Sequence, residues 1–291
     1  MSRAVTTLLD GGTGTELRMR GIEVPSHITS IWSARALFAD PDAVVRVHAD
    51  YIAAGADVIT ANNYAVTPPL LAREGIEDRL EELTLQAVEL ACRARDASGR
   101  PVRIAGSLPP LDTSYRADLV GEDEVLRADY RRIAELLAPR VDLLLCETLS
   151  SSREAVAAAA AAAGTGCEFW LSWTLQGSRP GHLPSGESVA EAFAAARDCG
   201  ASAYLVNCCG ANFVEQALPD LRALTDAPIG GYANAADAVP GSKPVAYTAL
   251  EPEAYASAVM RWVEAGATRV GGCCFTRPAH IARVRELLDS H

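Results

Sequence analysis

Apolar positions along this chain fall into two alternating patterns. Short runs rich in aliphatic and β-branched residues recur eight times: "TTLLDGG" from Thr6, "DVITA" from Asp57, "VRIAGSL" from Val102, "DLLLCET" from Asp142, "CEFWLSWTL" from Cys167, "SAYLVNCC" from Ser202, "PIGGYAN" from Pro228 and "TRVGGCC" from Thr268. Several are continuously apolar, as expected of parallel strands buried on both faces. Between them lie segments with apolar residues at helical spacing. "DPDAVVRVHADYIAAG" opens on an Asp-Pro start signal and stops at Gly55. "GEDEVLRADYRRIAELLAP" carries acids in its first turn and ends before a proline, which suits the helix dipole. "SSREAVAAAAAAAG", "ESVAEAFAAARDCG", "FVEQALPDLRALT", "EPEAYASAVMRWVEAG" and "RPAHIARVRELLD" behave alike. Eight strand–helix alternations in 291 residues predict an α/β fold, a (β/α)8 TIM barrel forming one domain over residues 1–291 without an interdomain linker. A doubly wound open sheet is the alternative closure of the same alternation.

A barrel presents its chemistry where strands end and βα loops begin. The first run ends in Asp10-Gly11-Gly12, the second in Thr60 to Tyr64, the fourth in Glu147-Thr148, the sixth in Asn207-Cys208-Cys209, the seventh in Tyr232-Ala233-Asn234 and the eighth in Cys273-Cys274. Simple solvation of strand ends accounts for Asn63 and Thr148. It does not account for an apolar strand that terminates in two adjacent cysteines, and this happens twice. Thiolates gathered on one rim point to zinc, although no C-x-x-C pair is present. Four sulfur ligands would make a closed structural site, whereas three would leave a position open for substrate. Gly271 and Gly272 are expected to let the backbone bend so that neighbouring cysteines share a face. The stretch "DGGTGTE" lacks the GK[ST] ending of a P-loop and is not a G-x-G-x-x-G fingerprint. It reads instead as backbone amides approaching a small anionic group, with a carboxylate from Asp10. "GSLPPLDTSYRADLVG" is the longest connection without periodicity, the kind of loop that builds sites.

Composition narrows the partners. The formal net charge of −11 argues against nucleic acid or anionic membranes. No apolar h-region follows the first residues, and the alanine-rich "REAVAAAAAAAGTG" is too short and too weakly apolar to cross a bilayer. A cytoplasmic protein is expected, its eight cysteines reduced and Cys92, Cys146, Cys167 and Cys199 serving as buried packing.

In order along the chain, "LLDGGTGTEL", "GADVITANNY", "LLLCETL", "LVNCCG" and "VGGCCFTRP" resemble the homocysteine S-methyltransferase family. The resemblance covers nearly the whole chain, and its strength lies in the ordered set DGG, ET, NC and GGCC. It implies a (β/α)8 barrel with zinc held by Cys208, Cys273 and Cys274, the fourth position taking the homocysteine sulfur. Cys209 matches no ligand of that family and becomes a neighbour. Asp10 and Glu147 would hold the substrate amino group, Gly11 and Gly12 would contact the amino-acid head, Thr60 would join the substrate-binding set and Asn207 would orient the site.

The implied reaction is attack of the acceptor thiolate on a methyl group carried by a cation, giving methionine; zinc favours the thiolate, which is the nucleophile. Among single-domain members, S-methylmethionine or S-adenosylmethionine fits as donor, with betaine the competitor. Such cations favour an aromatic rim, for which Tyr64, Tyr115, Trp173 and Tyr232 are the candidates. Two loops depart from the family's pattern: Pro109-Pro110 stands where sulfonium-using members carry Gly-Pro, and "GGYANAAD" where relatives have Tyr-Pro-Asn. A related zinc barrel acting on another thiol, or a non-catalytic barrel with structural or redox cysteines, would share the same cysteine pattern.

Overall fold

The computed structural model describes residues 5–26, 30–239 and 246–290. Residues 1–4, where the reading of the N-terminal segment begins, lie outside them. All eight apolar runs become parallel strands: β1 (Thr7–Leu8), β2 (Val58–Thr60), β3 (Arg103–Leu108), β4 (Leu143–Leu149), β5 (Phe169–Trp173), β6 (Ala203–Asn207), β7 (Ile229–Ala233) and, after a two-stranded hairpin of β8 (Ala236–Ala238) and β9 (Tyr247–Ala249), β10 (Arg269–Gly272). The sheet runs β1-β10-β7-β6-β5-β4-β3-β2. A parallel bridge between Leu9 and Val58 joins its two ends, with the Asp57 amide donating to the Leu8 carbonyl at 2.7 Å and the Asp10 amide to the Val58 carbonyl at 3.0 Å. The sheet is therefore a closed barrel and not an open, doubly wound one.

Local chemistry sets the helix ends. Asp40 caps Pro41–Ala53 by accepting from the Ala43 amide at 3.0 Å, with Pro41 in the first turn where no amide is needed. Ser188 and Glu191 form a reciprocal capping box at the start of Val189–Ala196. The sequence reading omitted the longest helix, Leu80–Ser98, which begins with two acids and ends at Gly99 in the left-handed region. Among the described residues no helix is long and apolar enough to cross a membrane.

Two apolar layers result. The larger lies between strands and helices; the smaller fills the barrel interior with Leu9, Val58, Ala105, Leu143, Leu145, Trp170, Ala203, Leu205 and Tyr232. Arg269 lies 5.3 Å from the Trp170 ring at the amino end of the barrel. Tyr232 and Cys273 close the interior at the carboxyl end, so the plug of the core is also the floor of the site. Of the four cysteines expected to be buried, only Cys146 is; Cys92, Cys167 and Cys199 are half-buried against the outer core. All eight cysteines are free thiols.

Candidate metal centre and active site

A cavity of about 700 Å³ opens at the carboxyl ends of the strands, and residues from all eight barrel strands or the loops that follow them line it. Asp10, at the end of β1, is buried; its carboxylate accepts from the Thr60 amide at 2.9 Å and the Thr60 hydroxyl at 3.4 Å. Thr60 lines the cavity but spends both donors on Asp10, so it orients that carboxylate. Glu147 is also buried, held by the Ser107 hydroxyl at 2.5 Å and the Tyr232 hydroxyl at 3.2 Å. Burial pushes the Asp10 carboxyl up to about 8, against the Thr60 hydrogen bonds and with a further push from the Glu147 charge. Burial likewise lifts Glu147 to about 7. Two carboxylates in one cavity, each short of positive charge, form a receptor for a cation. Arg18 is the only basic side chain lining the cavity among the described residues.

The sulfurs of Cys208, Cys273 and Cys274 all lie within 4.8 Å of one another, and those of Cys208 and Cys274 are 3.8 Å apart. Two sulfurs on a tetrahedral ion at 2.3 Å would be separated by ~3.8 Å. This spacing fits metal ligation and is far too long for a disulfide. Cys209 is buried outside the cluster, and burial raises its thiol. The two cysteine doublets are thus unequal: one contributes a single sulfur and the other contributes two.

The glycines before the second doublet act differently from the expected bend. Neither has a positive φ; a Cβ on Gly271 would lie 2.6 Å from Leu9 Cβ, so the residue is small because β1 passes against it. The unusual backbone lies elsewhere. Trp32, Tyr115, Thr148, Cys208 and Phe275 are the non-glycine residues with positive φ among those described. Four line the cavity, and Thr148 follows Glu147. Such conformations cost about 1–3 kcal/mol each and persist where surrounding contacts enforce them.

Asn207 supplies some of that enforcement. It is fully buried and does not line the cavity. Its Oδ1 accepts from the Thr148 amide at 2.8 Å and the Ser172 hydroxyl at 2.7 Å, while Nδ2 donates to Thr148 Oγ1 at 2.8 Å. Asn207 thus positions the Glu147-Thr148 turn from below. Asn63 and Thr148, read as solvated strand ends, are completely buried. Asn63 exchanges hydrogen bonds with the backbone of Ser107, 2.8 and 3.0 Å long.

Gly11 and Gly12 both line the cavity. The Gly12 amide, expected to meet substrate, is committed to the carbonyl and hydroxyl of Thr276, both at 3.1 Å. Further bonds join the loops after β1 and β10: the Phe275 amide to Thr15 Oγ1 at 3.0 Å and Arg277 Nε to Glu16 Oε2 at 2.8 Å. The Asn234 carboxamide accepts from the Cys274 amide at 3.2 Å and so steadies the second doublet.

Of the expected aromatic rim, Tyr64, Tyr115 and Tyr232 line the cavity. Trp173 does not; it is buried and stacked on Tyr204 with centroids 6.2 Å apart. Trp32, Tyr247 and Phe275 complete the aromatic lining and were not singled out from sequence. Ser107 was also missed, although a serine inside the apolar run "VRIAGSL" was a visible signal. The departing Pro109-Pro110 pair lies outside the cavity; the Pro109 carbonyl accepts from the Tyr130 hydroxyl at 2.8 Å and anchors the loop whose tip, Ser114-Tyr115, enters it.

Comparison with known proteins agrees with this arrangement. Residues 7–288 match the family described as homocysteine S-methyltransferase. The chain is 33% identical to a homocysteine S-methyltransferase of Escherichia coli, covering 96% of this chain and 94% of that protein. It is 29% identical to a selenocysteine Se-methyltransferase of Brassica oleracea, covering 97% and 89%. The crystal structure of the E. coli homocysteine methyltransferase in its metallated form superposes with a TM-score of 0.82 at 31% identity, covering 97% of this chain and 96% of that one. With its barrel, its acid pair and its three-sulfur cluster, the chain belongs to the homocysteine S-methyltransferase family.

Proposed function

We propose that this protein transfers a methyl group from a sulfonium donor, S-methylmethionine or S-adenosylmethionine, to the thiol of L-homocysteine, giving methionine. The observation that carries the reading is the meeting of two unlike receptors in one cavity: the sulfurs of Cys208, Cys273 and Cys274, and the buried carboxylates of Asp10 and Glu147. An all-sulfur donor set of this spacing suits zinc. Zinc, when bound by these cysteines, stabilises the acceptor sulfur as a thiolate at neutral pH.

The chain's own residues do the rest. Asp10 and Glu147 take the acceptor's ammonium, and the arriving cation draws both carboxyls back to their charged form. Thr60, Ser107 and Tyr232 fix the carboxylates, and Asn207 fixes the turn that bears Glu147. Trp32, Tyr64, Tyr115, Tyr247 and Phe275 offer ring faces to a cationic donor. In the transfer, a sulfur lone pair forms the new S–CH3 bond. The pair of the breaking bond stays on the departing sulfur, which becomes a neutral thioether.

The test supplies purified protein with homocysteine and, separately, S-methylmethionine, S-adenosylmethionine and betaine, and measures methionine. Methionine from a sulfonium donor is expected. Its formation from betaine alone would reassign the donor, and none from any donor would rule out homocysteine as acceptor. Zinc content should fall from about one ion per chain to near zero in Cys208→Ser, Cys273→Ser and Cys274→Ser, and persist in Cys209→Ser. Loss of zinc in Cys209→Ser would instead indicate a closed four-sulfur site.

A further inference from the structure

The loop after β3 crosses the cavity and places the Tyr115 hydroxyl 2.9 Å from the Cys208 sulfur and 3.2 Å from the Cys208 carbonyl oxygen. Among the described residues, Tyr115 is the only side chain outside the cluster that hydrogen-bonds one of its sulfurs. The contact is built from both sides. Thr67 Oγ1 donates to the Leu111 carbonyl at 2.6 Å, and the Ser114 and Tyr64 hydroxyls are bonded at 2.8 Å, which fixes the loop on either side of its tip. Tyr115 itself has φ +67° and Cys208 has φ +54°, two left-handed residues held face to face.

We propose that Tyr115 is a positioning residue of the metal centre: its hydroxyl donates a hydrogen bond to the Cys208 sulfur and so sets the orientation of that ligand. An ionised sulfur has no proton to give, so the phenol must be the donor once the cluster holds a metal. A bond of this kind would hold the Cys208 sulfur in a fixed direction and, with a metal bound, would draw electron density from that sulfur. This inference rests on the three-sulfur metal reading above. It adds a specific task to a loop whose flank departs from the family pattern at Pro109-Pro110.

Tyr115→Phe removes one oxygen and keeps the ring, losing only the hydroxyl's contacts to the Cys208 sulfur and carbonyl. The experiment compares wild type and Tyr115→Phe for zinc affinity, by competition with a chromophoric chelator, and for the sulfur-to-metal charge-transfer band after loading with cobalt(II). Thermal unfolding of both metal-free proteins is followed alongside. The expected result is zinc affinity weaker by about 10- to 100-fold, with a cobalt band moved to longer wavelength because the unbonded sulfur is more easily oxidised. Metal-free melting should fall by no more than about 4 °C, the effect of one lost hydrogen bond. Equal zinc affinity and an unshifted band would overturn the role of Tyr115 while leaving the metal centre standing. A wild-type protein that takes up neither zinc nor cobalt would overturn both.

Discussion

Replacing Glu147 by Gln isolates the contribution of one buried carboxylate. The amide keeps the shape, and the Ser107 and Tyr232 hydroxyls can rotate to meet it. What disappears is a buried charge that, on the proposed reading, faces the acceptor's ammonium. Losing such a charge-assisted contact costs about 2–4 kcal/mol, which corresponds to about a 30- to 900-fold rise in KM for homocysteine. The pH profile carries a second signature. Burial raises Asp10 to about 8 and Glu147 to about 7, so in the free protein both carboxyls hold protons as pH falls below these values. A protonated carboxyl cannot pair with an ammonium. The homocysteine KM of the wild type should therefore climb below about pH 8 and more steeply below about pH 7. In Glu147→Gln one limb vanishes, and the limb due to Asp10 moves to lower pH because the Glu147 charge no longer raises it. The assay is initial-rate methionine formation at saturating donor, with homocysteine varied over about pH 6 to 8. A flat wild-type profile, or a variant KM within about threefold of wild type, would refute the acid-pair reading.

Two other expectations concern the scaffold. His48 is fully buried, neither ring nitrogen has a partner, and burial lowers its pKa to about 4. Its folded value lies below the unfolded one, so the associated stability is complete above about pH 6.5 and drains away as pH falls toward about 4. His48→Leu should be more stable than wild type by about 2 kcal/mol at pH 5 relative to the difference at pH 8, read by urea unfolding; parallel pH dependence in the two proteins would contradict this. Gly271→Ala would force a Cβ to 2.6 Å from Leu9 Cβ and 3.1 Å from Leu9 Cα. A loss of about 1–3 kcal/mol in thermal or urea unfolding is expected, and an unchanged protein would mean that β1 can shift.

The alternation of apolar runs and helical segments was enough to identify every barrel strand, because parallel strands buried on both faces leave a continuous apolar trace. The same trace could not decide between a closed and an open sheet. That choice turns on one bridge between Leu9 and Val58, a pairing with no mark in either segment. The acid pair and the three clustered sulfurs were legible as rim residues together with a family resemblance. The inequality of the two doublets came from resemblance, and the geometry supports it with a 3.8 Å sulfur–sulfur spacing and a Cys209 turned into the core. Sequence was silent on Tyr247 and the Tyr115–Cys208 contact, since each depends on how far a loop or strand end reaches across the barrel, whereas Ser107 stood in plain view as a serine inside an apolar run. It misjudged Asn63 and Thr148 for a related reason: a polar residue at a strand end is exposed only if no neighbouring strand supplies it with partners. It also misassigned the purpose of Gly271, where the need is room for β1 and not a bend.

The stitching of the loop after β1 to the loop after β10 has a consequence for biosynthesis. The carboxylate of Asp10 leaves the ribosome well before the sulfurs of Cys273 and Cys274. A nascent chain that has passed Cys208 carries Asp10, Glu147 and one sulfur of the cluster, yet it lacks the partner segment that fixes the loop after β1 through Thr276 and Arg277. On the proposed reading, an ion cannot meet all three sulfurs until translation has passed the eighth barrel strand. An ion held by Cys208, Cys273 and Cys274 would then act as a clasp from the end of β6 to the end of β10, across β7.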